Sequence, residues 1–386
     1  MKYIHAAKFF LHNTTENEGY LEITDDGFFG NYLPLNQKIQ GEIIDYGKNW
    51  IAPGLMDTHI HGIGGHDVMD NDAAGLEAMS MALLQCGVTS WLPTTITGSK
   101  EQLADICTTI ATQQKQVSGA KIAGINFEGP FFTAEHKGAQ NPKYFLDPDV
   151  AVFEEWQAAA NGLLRQITIA PERSGAVAFT QAVSSTGVVV ALGHSSATFA
   201  QAKACVEAGA KTFTHAYNGM SPLNHREPGM VGAALSLQGI DAELICDGHH
   251  VNPYAAKILI DAKTPEHTVL VTDCMSAGLM PDGDYMLGEL PVVVANGTAR
   301  LKDSTHNLAG SILRLNEAIK NLVNWNLVTP AQAIQMASAT PAKSTNLAQE
   351  YGAILPGRAA DFIVLDEQMN LQATYIDGQE RYSVGE

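Results

Sequence analysis

The stretch "DTHIH" (residues 57–61) sets two histidines, His59 and His61, two positions apart directly after an apolar run. On a strand, residues i and i+2 point to the same side about 7 Å apart. That spacing lets two imidazoles converge on one cation. Four further residues belong with them. Glu128 in "NFEGP", His194 in "LGHSS", His215 in "THAYN" and Asp273 in "VTDCM" each end a short run of strand character. A carboxylate such as Glu128 can bridge two ions, and His194 and His215 can hold the second. Singly, each residue has an ordinary reading: a histidine near a strand end is commonly hydrogen-bonded structure, Glu128 a solvated loop acid, Asp273 a helix cap. The constellation carries the argument, because four histidines and two acids at strand ends do not readily arise by chance. His5, His12, His136 and His267 fall in terminal or exposed segments and receive no role, and nothing in the sequence fixes His66 at the site.

The elements that must position these groups alternate. Between about residues 52 and 273, eight β-rich runs, from "WIAPGLMDTH" and "VTSWLPTT" to "TVLVTDCM", are separated by polar loops and Ala-rich helical stretches such as "AAGLEAMSMALLQCG" and "SATFAQAKACVEAGA". Strands alternating with helices imply parallel strands and right-handed crossovers, and eight of them count out an α/β fold, a (β/α)8 TIM barrel, over residues 52–344. All six ionisable residues then lie at the carboxyl ends of barrel strands, where barrel enzymes keep their active sites. Residues 1–51 and 345–386 are alternating and turn-rich, and neither piece is long enough for a well-buried sheet alone. They are expected to pair into one small β-sandwich domain built from both termini, with separate terminal extensions as the alternative.

Composition narrows the partners. The 386-residue chain is 45% hydrophobic and 17% charged, with a formal net charge of −18. That charge argues against nucleic acid and anionic membrane surfaces, and an anionic small substrate would need local cations. The opening residues have no apolar core of signal-peptide length, and nowhere do eighteen apolar residues run together. The cysteines Cys86, Cys107, Cys205, Cys246 and Cys274 lack CxxC spacing. They read as reduced core residues, and a cytoplasmic protein is expected.

Here the residues reach a resemblance. "APGLMDTHIHG" and "GAILPGRAADFIVLD" are similar to the two ends of the amidohydrolase superfamily. Inside, "NFEGPFF", "LGHSSAT", "THAYNGMSPLNHREPGMVGA", "ICDGHHVNP", "VTDCMSAG" and "LAGS" together resemble the N-acetylglucosamine-6-phosphate deacetylases. The resemblance implies a metal-dependent barrel, a homodimer, and hydrolysis of the N-acetyl group of a sugar phosphate in amino-sugar metabolism. It implies one or two divalent ions per subunit (zinc, iron, manganese or cobalt), held by Glu128, His194 and His215, with His59 and His61 as the further pair and Asp273 as a potential ligand. Some members of that family lack the first-strand pair; this chain keeps it.

The chemistry implied is amide hydrolysis. Asp273 would take the proton of the attacking water and deliver it to the sugar nitrogen. Arg226 in "HREPG" and His250 in "DGHHV" would supply cations for the phosphate, reaching the neighbouring subunit's substrate, although a surface ion pair of Arg226 with Glu227 is the plainer reading. Backbone N–H groups of Asn218 and Gly219 can approach the ligand closely. Leu308, Ala309 and Gly310 would line the sugar pocket, and Ala139, Gln140 and Asp247 complete the implied substrate contacts. Gln140 stands where some members of the family carry histidine; it can donate a hydrogen bond to an oxyanion, but not as a cation.

Three other readings stand beside this one. The first is the same reaction on the galactosamine epimer. The second is a cyclic amidase of the dihydroorotase kind; these usually carry a carbamylated lysine on the fourth strand, which here ends "TIAPE" without one. The third is a catalytically inactive barrel serving as an interaction protein, which would be expected to have lost its metal ligands.

Overall fold

The computed structural model describes residues 1–385. Its centre is a ring of eight strands: β1 (Leu55–Ile60), β2 (Val88–Thr95), β3 (Ile125–Phe131), β4 (Leu164–Ile169), β5 (Val189–Leu192), β6 (Thr212–Phe213), β7 (Asp241–Leu244) and β8 (Thr268–Leu270). Neighbours pair in parallel from β1–β2 through β7–β8. The ring closes just beyond the ends of β8 and β1, where Ile60 bridges Cys274. There the Asp273 N–H donates to the His59 carbonyl at 2.9 Å and the His61 N–H to the Cys274 carbonyl at 2.8 Å. Candidate site residues therefore form the closing seam themselves. All seven residues of β3 and all eight of β2 are buried, as expected for strands covered on both faces.

Helices α1 (Ala73–Leu84), α2 (Lys100–Gln113), α3 (Val150–Ala159), α4 (Ala176–Ser184), α5 (Phe199–Glu207), α6 (Gly229–Ser236), α7 (Pro253–Lys263) and α8 (Leu315–Asn324) cover the ring. Their starts are fixed locally. Asp72 caps α1 by accepting from Ala74 and Gly75, Ser99 caps α2, and Thr198 with Gln201 forms a capping box on α5. On α8 the buried positions Leu315, Ala318, Ile319 and Leu322 follow helical i, i+3, i+4, i+7 spacing. Burying its three large side chains stabilises the fold by about 1.5–3 kcal/mol each.

The two termini build a separate β-sandwich. A six-stranded sheet orders Gln379–Ser383, Leu371–Ile376, Phe362–Leu365, Trp50–Pro53, Lys8–Phe10 and Thr15–Glu16, so the C-terminal strands pair directly with N-terminal ones. A four-stranded sheet of Phe29–Pro34, Gly19–Ile23, Lys2–Ala6 and Glu42–Asp45 faces it. Their shared core holds Ile4, Phe9, Leu21, Phe29, Ile51, Phe362 and Tyr375.

Two features depart from the sequence reading. "WIAPGLMDTH" is two strands rather than one: Trp50–Pro53 joins the terminal sheet and Leu55–Ile60 the barrel. Gly54 makes the crossing, and a Cβ there would sit 2.0 Å from Thr89 Oγ1, so no side chain fits. The second is a three-stranded antiparallel insert after β8 (Gly283–Leu287, Leu290–Ala295, Thr298–Leu301), which the strand count did not anticipate. Asn296 and Gly297 turn its last hairpin with φ of 52° and 77°, the left-handed pair that two-residue hairpins favour. Its buried residues Leu287, Val292 and Leu301 pack with Ile96, Met275 and Ala309 beside the barrel mouth.

Candidate metal centre and active site

A cavity of about 570 Å³ opens at the carboxyl ends of the strands, lined among others by His61, Glu128, His194, His215 and Asp273. Another concavity of about 420 Å³, beside the terminal sheet, has only His12 and Glu266 as ionisable lining and gathers no comparable cluster.

Three donor atoms in the first cavity form a tight triangle. Glu128 Oε1 lies 2.9 Å from His194 Nε2 and 2.9 Å from His215 Nε2, and the two ring nitrogens are 3.1 Å apart. An ion held tetrahedrally at about 2.0–2.1 Å from each donor would set donors about 3.3 Å apart. The triangle therefore fits three corners of such a site and leaves the fourth open. A second group, His59, His61 and Asp273, gathers its ligand atoms within 4.8 Å of one another. Glu128 stands between the groups, its Oε2 being 3.3 Å from His61 Nε2.

The hydrogen bonds behind the rings aim the histidines. His61 Nδ1 donates to the Thr94 carbonyl at 3.0 Å, His194 Nδ1 to the His136 carbonyl at 2.9 Å, and His59 Nδ1 meets the carboxylate of Glu243 at 3.0 Å. This leaves Nε2 of His61 and His194 facing the cavity and that of His59 facing Glu128 and Asp273, the arrangement that metal-binding imidazoles use. His59 Nε2 is buried without a hydrogen-bond partner, 3.6 Å from Glu128 Oε1 and 3.8 Å from Asp273 Oδ1. An orphaned nitrogen between two carboxylates is a costly arrangement that a shared cation relieves. The donor set fits a divalent metal ion.

Electrostatics lead to the same place. All six candidate residues are buried, and among the described residues no Lys or Arg pairs with Glu128, Asp273 or Glu243. Burial works against a charge on His61, but its bonds to Asp273 and Glu128 outweigh this and push the imidazole up to about 10. Burial likewise opposes ionisation of Glu128 and Asp273, yet the neighbouring histidines hold both carboxyls below the ordinary range. The pocket is thus built to hold positive charge, as protons or as metal. Its backbone is strained too: His194, His215 and Asp273 have φ of 46°, 27° and 50°, a region that costs non-glycine residues energy. Asp273 caps no helix; it sits on the barrel seam.

The family model for the amidohydrolase family matches residues 50–381. The chain belongs to that family. Among its relatives is N-acetylgalactosamine-6-phosphate deacetylase from Escherichia coli O157:H7, 40% identical over 94% of this chain and 96% of that one. N-acetylglucosamine-6-phosphate deacetylase from Bacillus subtilis is 35% identical over 94% of both. Among solved structures, an N-acetyl-D-glucosamine-6-phosphate deacetylase from Mycobacterium smegmatis, an aspartate-to-alanine mutant in complex with N-acetyl-D-glucosamine-6-phosphate, superposes with a TM-score of 0.93 at 30% identity over 99% of each chain.

In this amidohydrolase the residues singled out from sequence are distributed unevenly around the cavity. Ala139, Gln140, Asn218, Gly219, His250, Leu308 and Gly310 line it, whereas Ala309 is buried behind the wall. Gly219 has φ of 61°, and a Cβ there would come within 3.0 Å of His194 Nδ1, so glycine leaves room for the ring. Gln140 Oε1 accepts from the Thr97 N–H at 2.8 Å, which turns its amide nitrogen to donate to Glu128. Asp247 stands behind His250, accepting from its Nδ1 at 2.6 Å and from two backbone N–H groups. Arg226 is exposed on the loop before α6, away from the cavity, and makes no ion pair with Glu227 among the described residues.

Several residues at the site escaped the sequence reading. His136, given no role, supplies the carbonyl that orients His194, and it lines the cavity. Any residue has a carbonyl, so its type carried no signal. Glu243 did carry one: a carboxylate inside the apolar strand run "AELI" is rarely buried without a partner. Arg300 and His306, from the insert and the loop that follows, also line the cavity, and an Arg300 N–H donates to the His306 carbonyl at 3.1 Å.

Proposed function

We propose that the chain hydrolyses the N-acetyl group of N-acetyl-D-glucosamine 6-phosphate, giving D-glucosamine 6-phosphate and acetate, in amino-sugar catabolism. The observation that carries this reading is the triangle of Glu128, His194 and His215 with Asp273 on the same cavity. Glu128, His194 and His215 would hold a divalent ion, which would supply acidification of a water and polarisation of the acetyl carbonyl. Asp273, kept ionised by His59 and His61, accepts the proton of that water and then delivers it to the sugar nitrogen as the amide bond breaks. Gln140, its amide fixed by Thr97, has a second N–H to donate toward the oxygen on which charge develops. His59 and His61, with Asp273 and Glu128, would hold a second, weaker ion. Zinc, iron, manganese and cobalt all suit imidazole and carboxylate donors.

The phosphate needs cations in a chain of charge −18. His250, oriented by Asp247, faces the cavity, while Arg226 faces outward. We take Arg226 to complete the site of a second copy of the chain in a homodimer. In support, Leu223 is 54% exposed beside Arg226, and Tyr254 and Ile258 on the adjoining α7 are 83% and 57% exposed. These exposed apolar side chains suit an interface. We assign residues 1–51 with 345–386 to the sandwich and 52–344 to the catalytic unit, with the terminal-sheet strand Trp50–Pro53 running across that boundary. None of its helices is long and apolar enough to cross a membrane among the described residues.

The galactosamine epimer is a second reading, favoured by the 40% identity to the E. coli enzyme. Acetate release measured on both sugar phosphates and on unphosphorylated N-acetylglucosamine tests both. Turnover of the two phosphates sets the epimer preference. Turnover of neither, by protein shown to contain metal, would refute the reading.

A further inference from the structure

Glu243 lies on β7, is 1% exposed and stands outside any ligand set assigned above. Three donors converge on it. Gln166 Nε2 donates to Oε1 at 2.7 Å, while Oε2 accepts from the His215 backbone N–H at 3.2 Å and from His59 Nδ1 at 3.0 Å. Each Glu243 oxygen already accepts from an N–H that can only donate, so the short contact places the His59 ring proton on Nδ1. That fixes the tautomer and the ring plane, and it directs Nε2 into the gap between Glu128 and Asp273, where no hydrogen-bond partner waits. The same carboxylate ties the backbone of His215 in place. One buried acid thus couples the two ligand groups.

We infer that Glu243 is a positioning residue that makes His59 a metal ligand and so decides whether the barrel holds a second ion. The inference rests on the metal-dependent reading above and deepens it. Among the described residues no Lys or Arg reaches either carboxylate oxygen of Glu243, so its link to the ligand group runs through the His59 ring. The tight ion depends less on Glu243, since His194 is oriented by the His136 carbonyl and Glu128 reaches the triangle directly.

The test strips metal from the intact protein and titrates Co²⁺ or Zn²⁺ back into wild type and Glu243→Gln, with each affinity measured by chelator competition. Wild type should bind two ions per chain. The variant should hold the first with wild-type affinity and bind the second about 10–100-fold more weakly, the usual cost of losing such a partner. Equal affinity for both ions in the variant overturns the inference alone. A wild type that binds one ion overturns the two-ion reading, and the inference with it. If Glu243→Gln melts far below wild type or loses both ions together, Glu243 is a core structural group and the specific role is wrong. A measurement without substitution runs beside it: ¹⁵N NMR of the His59 ring in wild type should show the proton on Nδ1 with Nε2 engaged by the added ion. The opposite tautomer refutes the inference.

Discussion

Asp273 and His61 face each other with Oδ1 and Nε2 3.1 Å apart, and the backbone N–H of each donates one of the hydrogen bonds that close the barrel between β8 and β1. The proposed general base and a proposed metal ligand are thereby fixed by the same seam. Asp57 stiffens it from behind, accepting from the Thr272 hydroxyl at 2.6 Å. Substitutions at the seam should therefore separate into those that change chemistry and those that change metal content.

Asp273→Asn should keep the fold and the tight ion and lose turnover by at least about 10²-fold, since general acid–base catalysis contributes 10²–10⁴. The amide is close in shape but cannot accept and return a proton. Rates on the sugar phosphate, measured with metal content on the same preparation, check this. Activity within about tenfold of wild type, roughly 1.4 kcal/mol in the barrier, would remove Asp273 from the role.

His194→Asn or His215→Asn should strip the tight ion, because each removes one corner of the donor triangle. Replacing His59 and His61 together should lower metal stoichiometry while leaving turnover measurable. Elemental analysis beside rate measurement distinguishes them. Unchanged stoichiometry in the double variant would show that "DTHIH" clamps no second ion.

Metal binding should release protons. With its imidazole pushed up to about 10, His61 holds a proton on the ring in metal-free protein at neutral pH, and an ion must displace it. Affinity at the His59/His61 group should therefore rise with pH, by up to about tenfold per unit for one displaced proton, and level off near 10. Calorimetry in buffers of different ionisation enthalpy reads the proton count. A pH-independent affinity would mean the pair is already deprotonated.

Arg226→Ala should chiefly weaken substrate binding, by about tenfold or more, because the phosphate does not react. Some loss of turnover should accompany it, since remote binding energy helps orient the reacting amide. Unphosphorylated N-acetylglucosamine should be a poor substrate and little affected. Mixing Asp273→Asn subunits with Arg226→Ala subunits should restore activity, as one site per hybrid dimer has both groups intact. No recovery, with hybrid dimers shown to form, would place the phosphate contact within one chain.

The barrel and its six ionisable residues were legible because strand ends and residue types are both written in sequence: Glu128 closes an apolar run, and His194 and His215 do the same. What aims them was less legible. The carbonyls of Thr94 and His136 have no residue signature, and the left-handed φ of His194, His215 and Asp273 is imposed by tertiary packing. The split of "WIAPGLMDTH" at Gly54 depends on the approach of Thr89 from another strand. The insert over the cavity, by contrast, had a readable sign in "VVVANGTARL", an Asn-Gly turn between apolar runs. Arg226 was legible as a cation and as part of a motif, but its outward placement follows from the loop before α6.

The central claim is that Glu128, His194 and His215 would hold the divalent ion on which hydrolysis of N-acetylglucosamine 6-phosphate depends. Acetate release by protein stripped with chelator, then reloaded with a single divalent ion per chain, tests it most directly. The stripped protein should be inactive, and one equivalent of ion should restore turnover in wild type but not in His215→Asn. Full acetate release by demonstrably metal-free protein would contradict the account.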